Sequence, residues 1–239
     1  MHPNPPARSL AARTVAWSGA GMAVLSIAGF AALLAGGLDH GAGSGQATPL
    51  RAVAIDVALF SSFALHHSLF ARGPVRRLVS RWLSAELERP AYVWLSSLWF
   101  LLVVVAWQPL PGTAWQLSGA GAWLLRAGQA TGGVILLRAA ARLDMWDLLG
   151  VRTAGLTAPP RGFTTRWPYG WVRHPLYLAW VLVVACAPVM TASRLLFAGI
   201  STLYVLLAIP LEERTLRAQR ADYDAYRRAV RWRILPGLY

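Results

Sequence analysis

A short basic and aromatic motif stands directly before one apolar run, and two adjacent carboxylates end the next. The motif is Arg173-His174-Pro175-Leu176-Tyr177, and the carboxylates are Glu212 and Glu213. Proline is favoured in the first turn of a helix, so a helix is predicted to begin at His174-Pro175. The N–H groups and positive dipole of that helix end would bind an anion, with Arg173 as a bidentate partner and Tyr177 near the same ligand.

The two carboxylates complement this predicted anion site. Because the second apolar run returns towards the motif, Glu212 and Glu213 are expected at the same face as Arg173. A carboxylate there can hold an amine, another cation or a ribose hydroxyl, and a zwitterionic cofactor would satisfy both ends of the pair of runs. In the competing interpretation, the glutamates only begin a solvated helix and pair with Arg217 or Arg220 at i,i+4 spacing.

The composition indicates a polytopic membrane protein. Hydrophobic residues make up 56% of the 239 and charged residues 14%, against about 25% charged in an average soluble domain. The net charge is +13, but all 23 basic residues are arginines that cluster between apolar runs. This distribution fits a membrane topology signal and does not favour nucleic-acid binding. Cys186, the only cysteine, can form no disulfide within the chain, and no metal site is predicted.

Six apolar runs predict an all-α membrane bundle of about six spans, with both termini cytoplasmic and a carboxy-terminal amphipathic helix. The predicted spans are residues 14–38, 50–70, 90–107, 120–141, 176–190 and 195–211. The first is interpreted as a retained span, because it exceeds the apolar region of a cleaved signal. The last two are expected to form a tight antiparallel helical hairpin. In this arrangement 20 of the 23 arginines fall on one side, which is therefore predicted to be cytoplasmic.

The chain is predicted to be one integral membrane domain in three parts. Residues 1–13 are expected to be a disordered tail, residues 14–141 a four-span support and substrate region, and residues 142–239 the cofactor-binding loop, hairpin and tail helix. Small residues in the fourth predicted span should allow close helix packing; they are Gly128, Gly132 and Gly133. Asp56, inside the second span, is interpreted as a structural polar contact.

The motifs resemble the superfamily of membrane isoprenylcysteine carboxyl methyltransferases and phospholipid methyltransferases. The resemblance rests on the 173–177 motif, the apolar hairpin, Glu212-Glu213-Arg214 and Tyr223-Asp224-Ala225-Tyr226, and it covers about residues 50 to 235. Three further segments are most similar to the bacterial methanethiol S-methyltransferase branch. They are Leu143-Asp144-Met145-Trp146-Asp147-Leu148-Leu149-Gly150, His66-His67-Ser68 and Glu88-Arg89-Pro90-Ala91-Tyr92.

This resemblance implies that S-adenosylmethionine binds at the cytoplasmic face of the inner membrane. The implied cofactor-binding residues are Tyr169, Arg173, His174, Pro175, Tyr177, Glu212 and Glu213. It also implies methyl transfer to a small thiol or another lipophilic acceptor in contact with membrane lipid. The chain departs from the family pattern at Ala179, where relatives often have glycine. The alternative is a non-catalytic membrane accessory protein similar to the family associated with nitrite and nitric oxide reduction.

Four further ionisable residues are expected at the cytoplasmic ends of spans, level with the hairpin. His66 and His67 end the second predicted span, and Asp144 and Asp147 follow the fourth. Ionisable groups at membrane depth are costly when they face lipid, so they should face a polar cavity or one another. A thiol acceptor must lose its proton, because the thiolate is the nucleophile. Either histidine is then the candidate base and either aspartate its orienting partner; the competing interpretation is interfacial histidines and aspartates paired with nearby arginines.

Overall fold

The computed structural model describes residues 10–36, 48–70, 75, 78, 81–154 and 165–239. Its elements in chain order are α1 (Leu10–Gly36), α2 (Pro49–Phe70), α3 (Ala85–Ala106), β1 (Thr113–Gln116), α4 (Gly119–Ala140), α5 (Met145–Leu148), a 3-10 helix (Val151–Ala154), α6 (Pro175–Ala185), β2 (Val189–Thr191), α7 (Ala192–Gln219) and α8 (Tyr223–Ala229). The predicted all-α class is confirmed, with one small sheet added. Of the tail predicted over residues 1–13, residues 1–9 lie outside the described residues.

Among the described residues, four helical segments are long and apolar enough to cross a membrane. They are Leu10–Ala32, Pro49–Phe70, Ala85–Ala106 and Ala192–Gln219. The predicted fourth span is a helix of 22 residues, α4, but its arginines and glycines lower its hydropathy. The predicted fifth span, α6, has only 11 residues, about 16 Å of helix, against roughly 30 Å of bilayer hydrocarbon. The chain is thus a membrane protein, with four candidate spans in its described part.

The segment between α6 and α7 differs from the predicted helical hairpin. Helix α6 ends at Ala185, five residues before the predicted end of the span. Pro188 disfavours helical backbone at the residue before it and cannot donate a helical hydrogen bond. Val189–Thr191 instead form β2, which pairs antiparallel with β1. The tight helical turn predicted here is therefore wrong, and a strand lies between the two helices.

Backbone contacts divide the chain into two compact units. The first contains Met1–Gly37, Ala58–Trp107 and Asp144–Pro160, and the second contains Leu38–Val57, Gln108–Leu143 and Arg161–Tyr239. In the first unit, α1 packs along α3 and against the 3-10 helix. The buried contact includes Ala16, Ala20 and Val151, so small side chains on α1 allow close approach.

Helix α6 packs closely on α4 in the second unit. A Cβ atom on Gly132 would lie 2.9 Å from the carbonyl oxygen of Ala179, and one on Gly128 would lie 2.8 Å from the Sγ atom of Cys186. The packing role predicted for these two glycines is confirmed. A Cβ on Gly133 would meet nothing within 4 Å, so its predicted packing role is wrong. Ala179 is fully buried in the core around α6.

Buried polar contacts fix the turn that follows α3. Asp56 is fully buried and its Oδ1 accepts a hydrogen bond of 2.8 Å from the backbone N–H of Gln108. The Oγ atom of Ser193 accepts one of 2.6 Å from the backbone N–H of Leu110. The interpretation of Asp56 as a structural contact is confirmed.

The tail is two helices and not one. Helix α7 continues through both glutamates to Gln219, and α8 covers only Tyr223–Ala229. Tyr223, Tyr226 and Val230 form a buried cluster, and Leu216 packs against it.

Candidate active site

Helix α6 begins where the motif predicts. His174 occupies the N-cap position and Pro175 the first turn, and the His174 side chain makes no capping hydrogen bond. Its ring instead stacks on that of Tyr177, with centroids 5.5 Å apart and planes at 6°. Pro175 is fully buried, and it stands where a helix does not need its missing N–H.

Glu213 on α7 is the centre of a buried ionic cluster. Its side chain is 5% exposed, and its Oε1 accepts a hydrogen bond of 2.7 Å from Nε of Arg173. The Nε2 of His174 lies 3.3 Å from the same oxygen. The Oε2 atom accepts from Nε of Arg233 at 3.3 Å. The predicted meeting of the motif and the carboxylates is therefore present in the structure.

Glu212 is the solvent-exposed carboxylate of the pair. Its side chain is 43% exposed, and its Oε2 lies 3.6 Å from Nδ1 of His174. The hydroxyl of Tyr177 donates to the same oxygen at 2.8 Å. Glu212 is thus oriented by two residues of the motif while it remains accessible to a ligand.

The structure does not show the competing arrangement, in which the glutamates pair with Arg217 or Arg220. Arg217 pairs with Asp224 at 3.0 Å, and Arg220 pairs with Asp222 at 3.4 Å. These exposed pairs hold the turn between α7 and α8, and Glu213 has other partners.

Arg173 joins the motif to the end of the chain. Its Nη1 donates to the carbonyl oxygens of Val230 at 2.8 Å and Arg231 at 2.7 Å. Its backbone N–H donates to the carbonyl of Trp232 at 2.9 Å, and that of His174 donates to the carbonyl of Arg233 at 2.8 Å. The Arg173 side chain is 6% exposed, so it lies in the protein interior and holds Glu213 and the tail segment 230–233 together.

The cluster changes the ionisation of His174. Burial alone would lower the pKa of this imidazole, but hydrogen bonds and the negative charges of Glu212 and Glu213 outweigh burial and raise its pKa above the ordinary value. Protonated His174 is therefore favoured beside the two carboxylates.

The loop before α6 is fixed by its own contacts. The Tyr226 hydroxyl donates to the carbonyl oxygen of Tyr169 at 2.7 Å. Burial, then the charge of Glu212, raises the pKa of the Tyr169 phenol, which keeps it neutral. A Cβ on Gly170 would collide with the carbonyl oxygen of Thr165, so only glycine fits there.

The predicted catalytic histidines lie in the first unit, at the end of α2. The hydroxyl of Tyr92 lies 3.0 Å from Nδ1 of His67 and donates to the carbonyl oxygen of His67 at 3.2 Å. His66 stacks on Trp99, with centroids 5.6 Å apart and planes at 8°. Its Nε2 is buried without a hydrogen-bond partner among the described residues. Both histidines therefore sit in an aromatic environment.

The predicted orienting aspartates also lie in the first unit. Asp144 caps α5 by accepting from the backbone N–H of Asp147 at 3.2 Å, and its carboxylate pairs with Arg152. The carbonyl of Asp147 accepts from Nε of Arg89 at 3.0 Å. The pairing of an aspartate with a nearby arginine is thus found for Asp144.

Three relatives named methanethiol S-methyltransferase are similar to most of this chain. The protein from Bradyrhizobium diazoefficiens is 40% identical over 185 residues, 75% of this chain and 71% of that protein. The one from Crocosphaera subtropica is 38% identical over 192 residues, 77% and 75%. The one from Mycobacterium tuberculosis is 35% identical over 187 residues, 75% and 77%. The chain belongs to the methanethiol S-methyltransferase family. No protein-family model and no solved structure matches it.

Membership of the methanethiol S-methyltransferase family decides between the two functional alternatives. Several relatives are named as methyltransferases, so the chain is an enzyme and the accessory-protein alternative is not supported. The candidate spans found among the described residues make it a membrane methyltransferase. Among the described residues, no group of three or more His, Cys, Asp or Glu side chains could hold a metal ion.

Two residues of this family member were missed by motif reasoning. Arg233 is one of seven arginines after Glu213, and nothing in their spacing separates it from the others. Tyr92 belongs to the segment of residues 88–92, which resembles the family, but its contact with His67 joins residues 25 positions apart. Each could be found only from contacts made by the folded chain.

Proposed function

We propose that the protein transfers a methyl group from S-adenosylmethionine to a small thiol of the methanethiol kind. The observation that carries this proposal is the cluster at the start of α6, where Glu212 is accessible and is oriented by Tyr177 and His174. The names of the related methanethiol S-methyltransferases support the reaction class and the thiol acceptor.

The residues of the cluster fit a zwitterionic cofactor. Bound S-adenosylmethionine supplies an electrophilic methyl group on a sulfonium sulfur. Glu212, 43% exposed, can accept hydrogen bonds from an amine or a ribose hydroxyl. Tyr177 and His174 fix the position of that carboxylate. Arg173 and Glu213 lie beneath as a buried pair, so the direct role that the resemblance gives Arg173 becomes, in this proposal, the positioning of Glu213.

A thiol acceptor also needs a route for its proton. The S–H proton must leave before or as the new S–CH₃ bond forms and the sulfonium C–S bond breaks, giving a thioether, S-adenosylhomocysteine and a proton. We keep His66 or His67 as the proposed base. If His66→Ala and His67→Ala both retained full turnover of an alkyl thiol at neutral pH, this assignment would be wrong. An acidic aryl thiol, already ionised, should be insensitive to either substitution.

We also propose the inner membrane as the location, six crossings, and a cytoplasmic site. The support is the arginine distribution, with 20 of 23 on one side of a six-span arrangement. Reporter fusions after residues 117 and 239 test the orientation. Activity of a cytoplasmic reporter at 239 and a periplasmic one at 117 is expected, and the reverse pattern would contradict the orientation.

Isothermal titration of the detergent-solubilised protein with S-adenosylhomocysteine tests the cofactor site. Wild type should bind, and Glu212→Gln should weaken binding by about 10- to 100-fold, the loss of one hydrogen bond to a charged group. Asp222→Asn is the matched control, because its carboxylate sits in an exposed pair with Arg220, and its affinity should equal that of wild type. Absence of binding by wild type would contradict the proposed function.

A further inference from the structure

We infer that Arg233 binds the carboxylate of the amino-acid portion of S-adenosylmethionine. This inference rests on the proposed function, because it assigns a further ligand-binding residue to the same site. No motif in the sequence points to Arg233.

The guanidinium of Arg233 is held in place before any ligand binds. Its Nε donates to Oε2 of Glu213 at 3.3 Å, and its Cζ lies 5.0 Å from the ring centroid of Tyr239. The backbone N–H of Arg233 donates to the main-chain O atom of Tyr239 at 2.9 Å. A guanidinium fixed on one edge and one face loses little conformational freedom when its remaining edge binds a ligand.

The remaining donors of Arg233 are available. Nη1 and Nη2 have no hydrogen-bond partner in the part of the chain that the structure describes, and the side chain is 30% exposed. Arg173 differs, because its side chain is 6% exposed and its Nε and Nη1 are engaged with protein oxygens. Of the two arginines on Glu213, Arg233 is therefore the one that can present paired N–H groups to a carboxylate.

The cluster offers a partner for each charge of an amino-acid group. Glu213 pairs with Arg233 through one carboxylate oxygen and with Arg173 through the other. An incoming carboxylate could therefore pair with the remaining N–H groups of Arg233. The amine of the same ligand could then pair with the accessible Glu212.

A pair of ligands that differ only in the carboxylate tests this assignment. S-Adenosylmethionine and decarboxylated S-adenosylmethionine would each be titrated, without acceptor, into wild type, Arg233→Gln, Arg233→Lys and Arg231→Gln. Arg231 is the control, because its guanidinium packs over Trp232 at 5.6 Å. Arg233→Gln should weaken S-adenosylmethionine by about 10- to 100-fold and leave the decarboxylated ligand within twofold. Arg233→Lys should fall between wild type and Arg233→Gln, and Arg231→Gln should match wild type.

Equal weakening of both ligands by Arg233→Gln would mean that Arg233 only supports Glu213, and it would overturn the inference. Unchanged affinity for both would overturn it as well. If Arg233→Gln does not fold, wild type and Arg233→Lys are compared. Wild type should bind S-adenosylmethionine at least tenfold more tightly than the decarboxylated ligand, and this ratio of affinities should be smaller in Arg233→Lys. An equal ratio in both proteins would contradict the inference. Failure of wild type to bind either ligand would instead contradict the proposed function.

Discussion

Glu213 illustrates how a buried charge is made tolerable near a membrane. Its carboxylate is 5% exposed and contacts Arg173, His174 and Arg233. A charge of this kind would be costly alone, and its partners would be equally costly without it. The buried pair of Arg173 and Glu213 should therefore be more sensitive to loss of one partner than an exposed ion pair is.

Replacement of Glu213 by glutamine should be strongly destabilising. Glu213→Gln keeps the shape but leaves the buried Arg173 without a countercharge, which typically costs about 3–5 kcal/mol. Thermal unfolding in detergent would measure the loss. Asp224→Asn removes a carboxylate from an exposed pair with Arg217 and should change the unfolding temperature little. Similar effects of the two substitutions would contradict the structural role given to Glu213.

The ionisation of His174 gives a pH dependence with a defined sign. Its pKa is raised in the folded protein from an ordinary value of 6.5, so its stabilising contribution is complete below about pH 6.5 and is lost as pH rises through the raised pKa. The unfolding temperature of wild type should therefore exceed that of His174→Gln most at pH 6 and progressively less towards pH 9. A difference that stays constant over this range would show that His174 does not become charged in the cluster.

At the residue scale, local chemistry was readable from the sequence and distant contacts were not. The start of α6 follows from proline at its first turn, and the pairing of Glu213 with the motif follows from two runs that return to one face. The role of Arg233 depends on the path of the tail after α8, which brings its side chain to Glu213. No local pattern encodes that path.

At the scale of elements, the contact between α4 and α6 is set by glycine. Gly132 faces the carbonyl of Ala179, whereas the adjacent Gly133 faces open space. Ala179 is itself fully buried in the core cluster around α6, so its side chain is part of this packing.

Gly132 and Gly133 form a matched pair for a test of this packing. Gly132→Ala would place a Cβ 2.9 Å from the Ala179 carbonyl and should destabilise the protein by about 1–3 kcal/mol, the usual cost of overpacking. Gly133→Ala should be neutral or slightly stabilising, because alanine favours helix and no neighbour is near. Thermal unfolding of the two variants in the same detergent tests this, and Gly132→Ala should unfold at the lower temperature. Equal unfolding temperatures would contradict the predicted packing.

The elements that sequence reasoning misjudged share a physical cause. Hydropathy extends without interruption beyond Ala185, so a long span was predicted, but Pro188 ends the helix there. Strand β2 depends on pairing with β1, whose partner residues lie more than 70 positions away. Periodicity in a short window cannot report such pairing.

At the scale of the whole molecule, composition and family agree on a membrane methyltransferase. The helical class and the family were predictable, because apolar runs and the paired motifs are strong signals. Two of the six predicted spans are not among the four candidate spans of the described residues: α4 is long enough but less apolar, and α6 is apolar but short. The shared level of the histidines, the aspartates and the cluster stays a prediction.

The most direct test of the central claim is methyl transfer by the purified protein. S-Adenosylmethionine labelled in its methyl group would be supplied with methanethiol, and labelled dimethyl sulfide would be measured together with S-adenosylhomocysteine. Wild type should form both products in equal amounts, and Glu212→Gln should lower the rate at subsaturating S-adenosylmethionine by about 10- to 100-fold while Asp222→Asn does not. Binding of S-adenosylmethionine by wild type without any labelled dimethyl sulfide would contradict the proposed reaction.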